Sequence, residues 1–580
     1  MSEKSAGPQT NIGRGRQALE AFGESVRGNA YVDDTHFRRL LGHYASSERW
    51  EKLDAALTDF GEAVLGPVDR LVRQNNAPAN LPRLNRWSDY GTRLEEVEHH
   101  PSYHEAGRYI YGSGMMTAYK THPNTVGALS RFYVSSFNGE AGHNCPLACT
   151  AGVIRVLQEL ADEELRERFL PGFLNPEYGE HLEGAQFLTE VQGGSDVGAN
   201  ATRAVRQDDG SWRIIGEKWF CSNIDADIFL MTARVEELGE EGTRGLGLFL
   251  VPRELDDGSV NEFYVRRLKD KLGTRTMASG EADFRGAVAY HMGEVGDGFR
   301  HMMELVINTS RLYNAVGCCA GMRRAFITAQ RYARHREAFG QPIIDYPLVQ
   351  ETLANMRAEQ EAMTSGNLYL MAMQDRIDSD KATDGEKKFF RMALNLNKDR
   401  TAKSGRWACV EGIEILGGNG AIETFSVLPR LLRDSIVYEN WEGTHNTLYM
   451  QVYRDMKRYG FQEHFFDHLD GLLSRAEGTD EEERARQVGA KVTELRQQIQ
   501  KILEQPFAVA SLSMRRVVDD LAYVFYGAVR LWERVEFGAP DEETSLASLE
   551  HFLDLRISAT GPDITDPEYL KRLQCLTASI

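Results

Sequence analysis

The sequence predicts an α+β chain in three blocks, helical, then β, then helical, with further helices at its end. Three observations carry that prediction. Leucine and valine recur at three- and four-residue steps from about residue 34 to 182, and again from Gly298 onward, which is the period of an amphipathic helix. Between these blocks, from Gly184 to about residue 296, the texture changes to short apolar or alternating runs. A chain of 580 residues with 42% hydrophobic content has room for three or four domains and a large core.

Taken in order, residues 1–33 are rich in Gly, Ser and Arg, lack apolar periodicity and read as a mobile arm. Residues 34–183 read as an all-α domain. Within it HFRRLLGHY and RWEKLDAALTDFGEAVLGPVDRLV are helical, PANLPRLNRW is a proline-broken connector, and LEEVEHHPSYHEAGRYIYG and NTVGALSRFYVSSF are helical again. CPLACTAGVIRVLQELADEELRERFLPGFL then gives two helices across a turn. Residues 184–296 read as a small antiparallel, barrel-like β domain built from runs such as SWRIIGEKWFCS, IFLMTARV and LGLFLVPREL, with Asp209-Gly210 as a hairpin signal. Residues 297–460 hold four long helical patterns, as an antiparallel four-helix bundle requires, and residues 461–580 add further helices. No fixed-period repeat is present.

Composition narrows the function classes. The net charge of −19 opposes nonspecific attraction to nucleic acid or anionic membrane. The seven cysteines are odd in number and scattered, so no disulfide framework follows, and Cys145 and Cys149 lack the second ligand pair that a zinc site needs. The N-terminus lacks an apolar signal segment, and no run of about 18 apolar residues marks a membrane span. A reducing, cytoplasmic setting is the expectation. A strand–GxGxxG–helix unit and a P-loop are both missing, and HEAGR at His104–Arg108 has Arg where a zincin helix needs a second His.

The stretch with the clearest chemistry is IVYENWEGT, Ile436–Thr444. It reads as a buried loop turning into the helix NTLYMQVYRDM, with Thr444 as N-cap and Glu442 on the turn. A carboxylate among Tyr438 and Trp441 is poorly solvated, so its pKa should rise and make it a usable general base. The alternative is an ordinary acid at a helix start, favoured by the dipole.

FLTEVQGGSDV from Phe187, KWFCSN at Lys218–Asn223, RHREAFG at Arg334–Gly340, EILGGNG at Glu414–Gly420 and the EGT loop follow one another in an order that resembles the acyl-CoA dehydrogenase family of flavoproteins. The resemblance covers roughly residues 94–455. EAGHNCPLA at Glu140–Ala148, TEVQGGSDVGANATRA at Thr189–Ala204 and RLKDKLGTRTMAS at Arg267–Ser279 resemble its AidB-like, alkylation-response branch, and so does the helical C-terminal extension. The resemblance implies FAD as cofactor, an acyl-CoA substrate, a homo-oligomer of the dimer-of-dimers type and an electron-transfer flavoprotein as possible electron partner. It implies flavin contacts at Leu188, Thr189, Ser195, Phe220 and Ser222, further FAD contacts at Thr444 and Asn446, and acyl-CoA contacts at Ser195, Arg311 and Gly443. It implies diphosphate contacts from a neighbouring subunit at Arg336, Phe339, Glu414, Gly417 and Gly418. Glu442 would take the α-proton of the thioester while the β-hydride passes to the flavin.

The chain departs from the family pattern at several of these positions. Phe220 stands where Trp is usual, Asn308 replaces the acid of D-x-x-R before Arg311, and Pro347 and Glu414 replace glutamines of the diphosphate site. Two other functional readings stay open at this point: a flavoprotein with a protective or DNA-associated role and slight turnover, and a protein that holds an acyl-CoA without oxidising it. The residues after 460 carry more acids than bases, so a basic DNA-binding face is not evident there.

Overall fold

Periodicity sorts the chain into the expected order in the computed structural model, which describes residues 11–139, 141–538 and 542–578. The first helices are α1 (Asn11–Ser25), α2 (Thr35–Tyr44), α3 (Ser47–Ala63), α4 (Asp69–Asn75), α5 (Pro101–Gly112), α6 (Thr125–Ser136), α7 (Ala141–Leu160) and α8 (Glu163–Phe173). Local chemistry sets several of their starts: Asp34 accepts from the Phe37 N–H at 3.2 Å, and Asp162 from the Leu165 N–H at 2.9 Å.

Two expectations for this region need correction. The arm at residues 1–33 carries α1, whose Phe22 is buried, stacked on Phe425 at 5.8 Å and edge-on to Tyr332 at 5.2 Å. Its anchors lie hundreds of residues away, so no local period announces it; residues 1–10 of the arm are outside the described residues. The region at 34–183 is not wholly helical either. β1 (Arg83–Trp87) and β2 (Arg93–Glu98) form an antiparallel hairpin where a connector and a helix start were expected. Leu84 faces Val97 across the pair, and both pack on the β-domain core. The charged residues around them masked the alternation.

The middle block has seven strands: β3 (Gly184–Phe187), β4 (Arg203–Arg206), β5 (Trp212–Ser222), β6 (Ile228–Val235), β7 (Leu246–Pro252), β8 (Phe263–Leu268) and β9 (Ser279–Met292). β6, β4, β5, β9 and β7 close into a ring because β7 pairs back onto β6; β3 is added to β6 and β8 to β9. The Asp209-Gly210 turn joins the antiparallel β4 and β5, with Gly210 at φ 84°. Two pairings, β3–β6 and β4–β6, are parallel, a departure from the all-antiparallel expectation. The chain leaves β3 through a long loop and rejoins the same edge of β6 further along.

The second helical block opens with α9 (Gly298–His301) and a π-helical stretch, Met302–Ile307, that continues into α10 (Asn308–His335). A small hairpin of β10 (Glu337–Ala338) and β11 (Gln341–Pro342) leads to α11 (Pro347–Asp378), α12 (Asp384–Leu416), α13 (Leu428–Asn440) and α14 (His445–Tyr459). A full capping box, Thr383 with Glu386, starts α12. Ile436–Asn440, expected as loop, are the last residues of α13. Thr444 stands at the N-cap of α14 without a side-chain capping bond, contrary to expectation; its hydroxyl meets that of Thr447 at 3.1 Å instead. The chain ends in α15 (Phe461–Ser474), α16 (Glu482–Glu504), α17 (Phe507–Phe537), α18 (Glu542–Arg556) and α19 (Pro567–Ala578). α15 to α18 share one continuous core with the bundle, as where Phe525 meets Phe389 at 5.9 Å, and α19 packs through Tyr569, Leu573 and Leu576 in a smaller cluster with Ala354 and Ala547.

Candidate active site

The turn between α13 and α14 is held in a conformation its residues do not favour. Glu442 has φ 52° and Gly443 φ 105°. Glycine takes such values freely, whereas a glutamate pays about 1 kcal/mol or more and stays only where its surroundings fix it. Three side chains do so. Arg311 of α10 donates to the Glu442 carbonyl through Nε at 3.1 Å and Nη2 at 3.0 Å. Lys398 of α12 donates to the Glu439 carbonyl at 3.1 Å and the Gly443 carbonyl at 3.0 Å, so the turn wraps around one ammonium. His445 lies between Asp399 at 2.6 Å and Glu439 at 2.9 Å, and these carboxylates hold its pKa up against burial.

The Glu442 side chain lines a narrow pocket walled by Phe132, Tyr313, Tyr438 and Trp441 and by Cys145, Cys149 and Gly317. Desolvation lifts the Glu442 carboxyl to about 7, against the opposing pull of Lys398, an Asn314 hydrogen bond and Arg311. Asn314 Nδ2 donates to Glu442 Oε2 at 2.9 Å and to the Tyr438 carbonyl at 3.0 Å. Oε1 has no hydrogen bond from any described residue, so one carboxyl oxygen is oriented and the other is open. The pocket amides are satisfied internally: Gln186 bonds to Ser310 at 3.0 Å, and Asn144 to Ser135 and Ser136 at 3.0 Å each. What remains for a ligand is an apolar, largely aromatic wall. Cys145 and Cys149 are wall residues that pack with Met277 and Trp441, as free thiols.

The structure brings Ser195, Arg311, Gly443, Thr444 and Asn446 to this turn, and ties Phe220 and Ser222 to the Ser195 loop through β5. The loop after β3 carries Leu188, Thr189 and Ser195; Ser195 Oγ meets Thr447 Oγ1 at 3.3 Å, which in turn meets Thr444. The Thr189 carbonyl accepts from the Trp219 N–H at 2.9 Å, which ties this loop to β5. Beneath it, Glu190 and Lys218 form a fully buried ion pair at 2.9 Å, and Lys218, aided by the Ala201 N–H, holds Glu190 at about 2 against desolvation. Phe220 on β5 leaves 52% of its surface open, rare for a phenylalanine, with the Lys269 ammonium 4.7 Å from its ring. Ser222 Oγ meets Ser279 Oγ at 3.2 Å, and the half-buried Lys271 donates to Ser279 at 2.9 Å. Asn446 is exposed at the start of α14.

Five predicted residues lie elsewhere in the chain. Arg336 follows the last turn of α10, 25 residues from Arg311 and so roughly 37 Å away along one helix. Phe339 is 99% exposed at the tip of the β10–β11 hairpin. Glu414, Gly417 and Gly418 close the same far end of α12, and both glycines face open space. Together the two groups fit FAD. One offers an open aromatic face beside hydroxyls, as a flavin ring requires; the other offers a guanidinium and unobstructed glycine backbone, as a diphosphate requires. Asn314, Lys398, Asp399, His445 and Lys271 belong to the site but were missed by motif reading. Lys398 and Asp399 lie in the polar run NLNKDRTAKS of α12, where no local pattern sets them apart from their neighbours. Among the described residues no cluster suits a metal ion, and no helix is long and apolar enough to cross a membrane.

Comparison with known proteins identifies the family and the fold. Residues 296–457 match the family model for the acyl-CoA dehydrogenase C-terminal domain, residues 185–287 the middle domain, and residues 23–180 the N-terminal domain of the adaptive response protein AidB. The chain is 33% identical to Escherichia coli AidB over 454 residues, 76% of this chain and 80% of that one. It is 28% identical to acyl-CoA dehydrogenase family member 11 of Caenorhabditis elegans over 87% of this chain and 83% of that one. A crystal structure of ACDH-11 from C. elegans in complex with C11-CoA superposes with a TM-score of 0.82 at 25% identity, covering 95% of this chain and 93% of that one. An acyl-CoA dehydrogenase from Bacillus anthracis complexed with FAD shares the fold, with a TM-score of 0.69 at 17% identity over 92% and 88% of the two chains.

Proposed function

The chain belongs to the acyl-CoA dehydrogenase family, FAD-dependent oxidoreductases acting on CH–CH groups, and carries the N-terminal domain of the AidB branch; on that premise we propose that it dehydrogenates an acyl-CoA thioester between Cα and Cβ with Glu442 as the base. The observation that carries this reading is the Glu442 carboxyl itself, held in a left-handed turn at an aromatic pocket, lifted to about 7 by burial, with one oxygen fixed by Asn314 and the other open.

Each part of the site then has a task. The aromatic wall holds the acyl chain and excludes water, which keeps Glu442 basic. Oε1 takes the α-proton, and Asn314 and Lys398 stabilise the carboxylate before it does so. The Glu442 N–H makes no backbone hydrogen bond among the described residues and can donate to the thioester oxygen, where charge develops as the α-proton leaves. When bound, FAD supplies the acceptor for the β-hydride. Leu188, Thr189, Ser195, Phe220 and Ser222 would hold its flavin side, with Thr444 and Asn446 as further FAD contacts; Arg336 and the Gly417 and Gly418 backbone of a second copy, with Phe339 and Glu414 beside them, would hold its diphosphate. The separation of the two groups along α10 supports a homo-oligomeric site, because one chain cannot bring both to one cofactor. The C11-CoA complex of the C. elegans relative supports an acyl-CoA ligand.

The test is anaerobic titration of the FAD-loaded protein with acyl-CoAs of graded chain length, followed by visible absorbance. Bleaching by one class names the substrate. Glu442→Gln should retain FAD and lose at least about a thousandfold in reduction rate, in line with removal of a general base together with its positioning. Undiminished reduction in that variant sinks the assignment. Tight acyl-CoA binding without bleaching in the unmodified protein would instead give the holding role.

A further inference from the structure

Arg515 belongs to none of the motifs and lies on α17, among the helices that follow the bundle, yet it reaches the cofactor site. Its Nη2 donates to Asn446 Oδ1 at 3.0 Å. Asn446 is one of the positions assigned above to FAD. One turn further along α17, on the same face, Asp519 accepts from Lys403 at 2.9 Å and pairs with Arg400 at 3.3 Å, both on α12. Lys403 also donates to the Tyr449 hydroxyl of α14 at 2.6 Å and to Asp399 at 2.8 Å. Fixed charges therefore dock α17 against α12, which packs behind the Glu442 turn, and Lys403 links that contact to α14, which follows the turn; this docking sets where Arg515 stands.

Arg515 is exposed, and among the described residues no carboxylate pairs with it. Of the five N–H donors of its guanidinium, one is accounted for by Asn446. That contact also orients the Asn446 amide: Oδ1 is taken, so the outward donor is Nδ2. Close by, the hydroxyls of Thr444, Thr447 and Ser195 form a chain at the same edge. The other half of the cofactor site is short of donors for an anion. Pro347 has no N–H and opens α11, and Glu414 places an exposed carboxylate where an amide would donate. A diphosphate held there alone would lose donors and face a like charge.

We infer that Arg515 is a cofactor-binding residue: α17 presents its guanidinium to the diphosphate of FAD beside Thr444 and Asn446, offsetting the donors absent at Pro347 and Glu414. The inference rests on the FAD reading above and assigns the C-terminal helices a part in the cofactor site. The chemistry suits the task, since the planar fork matches two oxygens of a diphosphate and keeps its charge at every working pH.

The experiment compares two flavins on the full-length protein stripped of cofactor: FAD, and riboflavin, which has the same ring and no phosphate. Binding is read from flavin fluorescence. Arg515→Met is expected to weaken FAD about tenfold or more, as loss of a charge-assisted contact does, and to leave riboflavin unchanged. Arg515→Lys should recover part of the loss, because a point charge remains without the fork. Asp519→Asn, which loosens the docking of α17, should reproduce the FAD-selective loss in weaker form. Equal weakening of both flavins by Arg515→Met would mean that the residue acts only through packing and would overturn the inference, as would unaltered FAD affinity. Failure of the wild-type chain to bind FAD would overturn the underlying reading and this inference with it.

Discussion

At the scale of single residues, Glu442 combines three costs that have no structural benefit: left-handed backbone, burial of an acid, and a pocket wall left open around it. A buried carboxyl raised from 4.5 to about 7 binds its proton in the folded state where the unfolded chain has lost it. Stability therefore falls as pH rises between those values, and the penalty is complete above about 7. Glu442→Gln should match the wild type in thermal stability near pH 4 and exceed it at pH 8 by about 1–3 kcal/mol. Equal denaturation curves at pH 8 would refute the buried-acid reading. In the active protein the same titration sets the working range: the rate of flavin reduction by acyl-CoA should rise through about pH 7 as Glu442 ionises.

At the scale of elements, the site depends on helices that grip loops. Lys398 on α12 is buried, and its ammonium meets two carbonyls of the Glu442 turn while lowering the Glu442 pKa. Lys398→Met should move the acid limb of the reduction rate up by roughly a unit, read from its pH profile; an unmoved limb would show that the ammonium serves the backbone alone. The loop after β3 is gripped from below by Lys218 on β5. Lys218→Met leaves the Glu190 carboxylate buried and unpaired and should cost about 3–5 kcal/mol in urea unfolding. A Lys218→Met/Glu190→Gln double variant should recover most of that loss, because no buried charge is then stranded.

At the scale of the whole molecule, the two halves of the cofactor site sit at opposite ends of one bundle, with roughly 37 Å of α10 between Arg311 and Arg336. On the FAD reading proposed above, a cofactor too short to span that distance would take its two halves from different subunits. Mixed oligomers test this directly. Subunits carrying Arg336→Ala and subunits carrying Glu442→Gln should each be inactive as pure samples. Dissociated and reassembled together, they should regain about a quarter of wild-type activity, since some sites then receive neither defect. Absence of any recovery in verified mixed oligomers would place both residues in one subunit's site. Exposed apolar side chains at the far end, above all Phe339 at 99% and Ile422 at 47%, suit a surface that a second copy covers.

The order of blocks, the long helices and the closed β domain were legible in the sequence because each depends on a local period: 3.6 residues for α10, α11 and α12, two residues for the strands. Glu442 was legible too, as the acid of a recognisable turn. Other features depended on contacts between distant segments, and no local pattern encodes those. The helix at residues 11–25 exists because Phe22 finds Phe425 and Tyr332, and the hairpin at 83–98 because Leu84 and Val97 find the β core. Lys398, Asp399 and His445 became site residues only when α12 packed behind the turn, and Arg515 only when Asp519 docked α17 on Lys403 and Arg400. The sequence by itself determined the chemistry available, one carboxylate among aromatics and a set of glycine turns. Tertiary structure decided which charges surround that carboxylate and thus its pKa, because desolvation and Coulomb interaction depend on distances that only the packed chain sets.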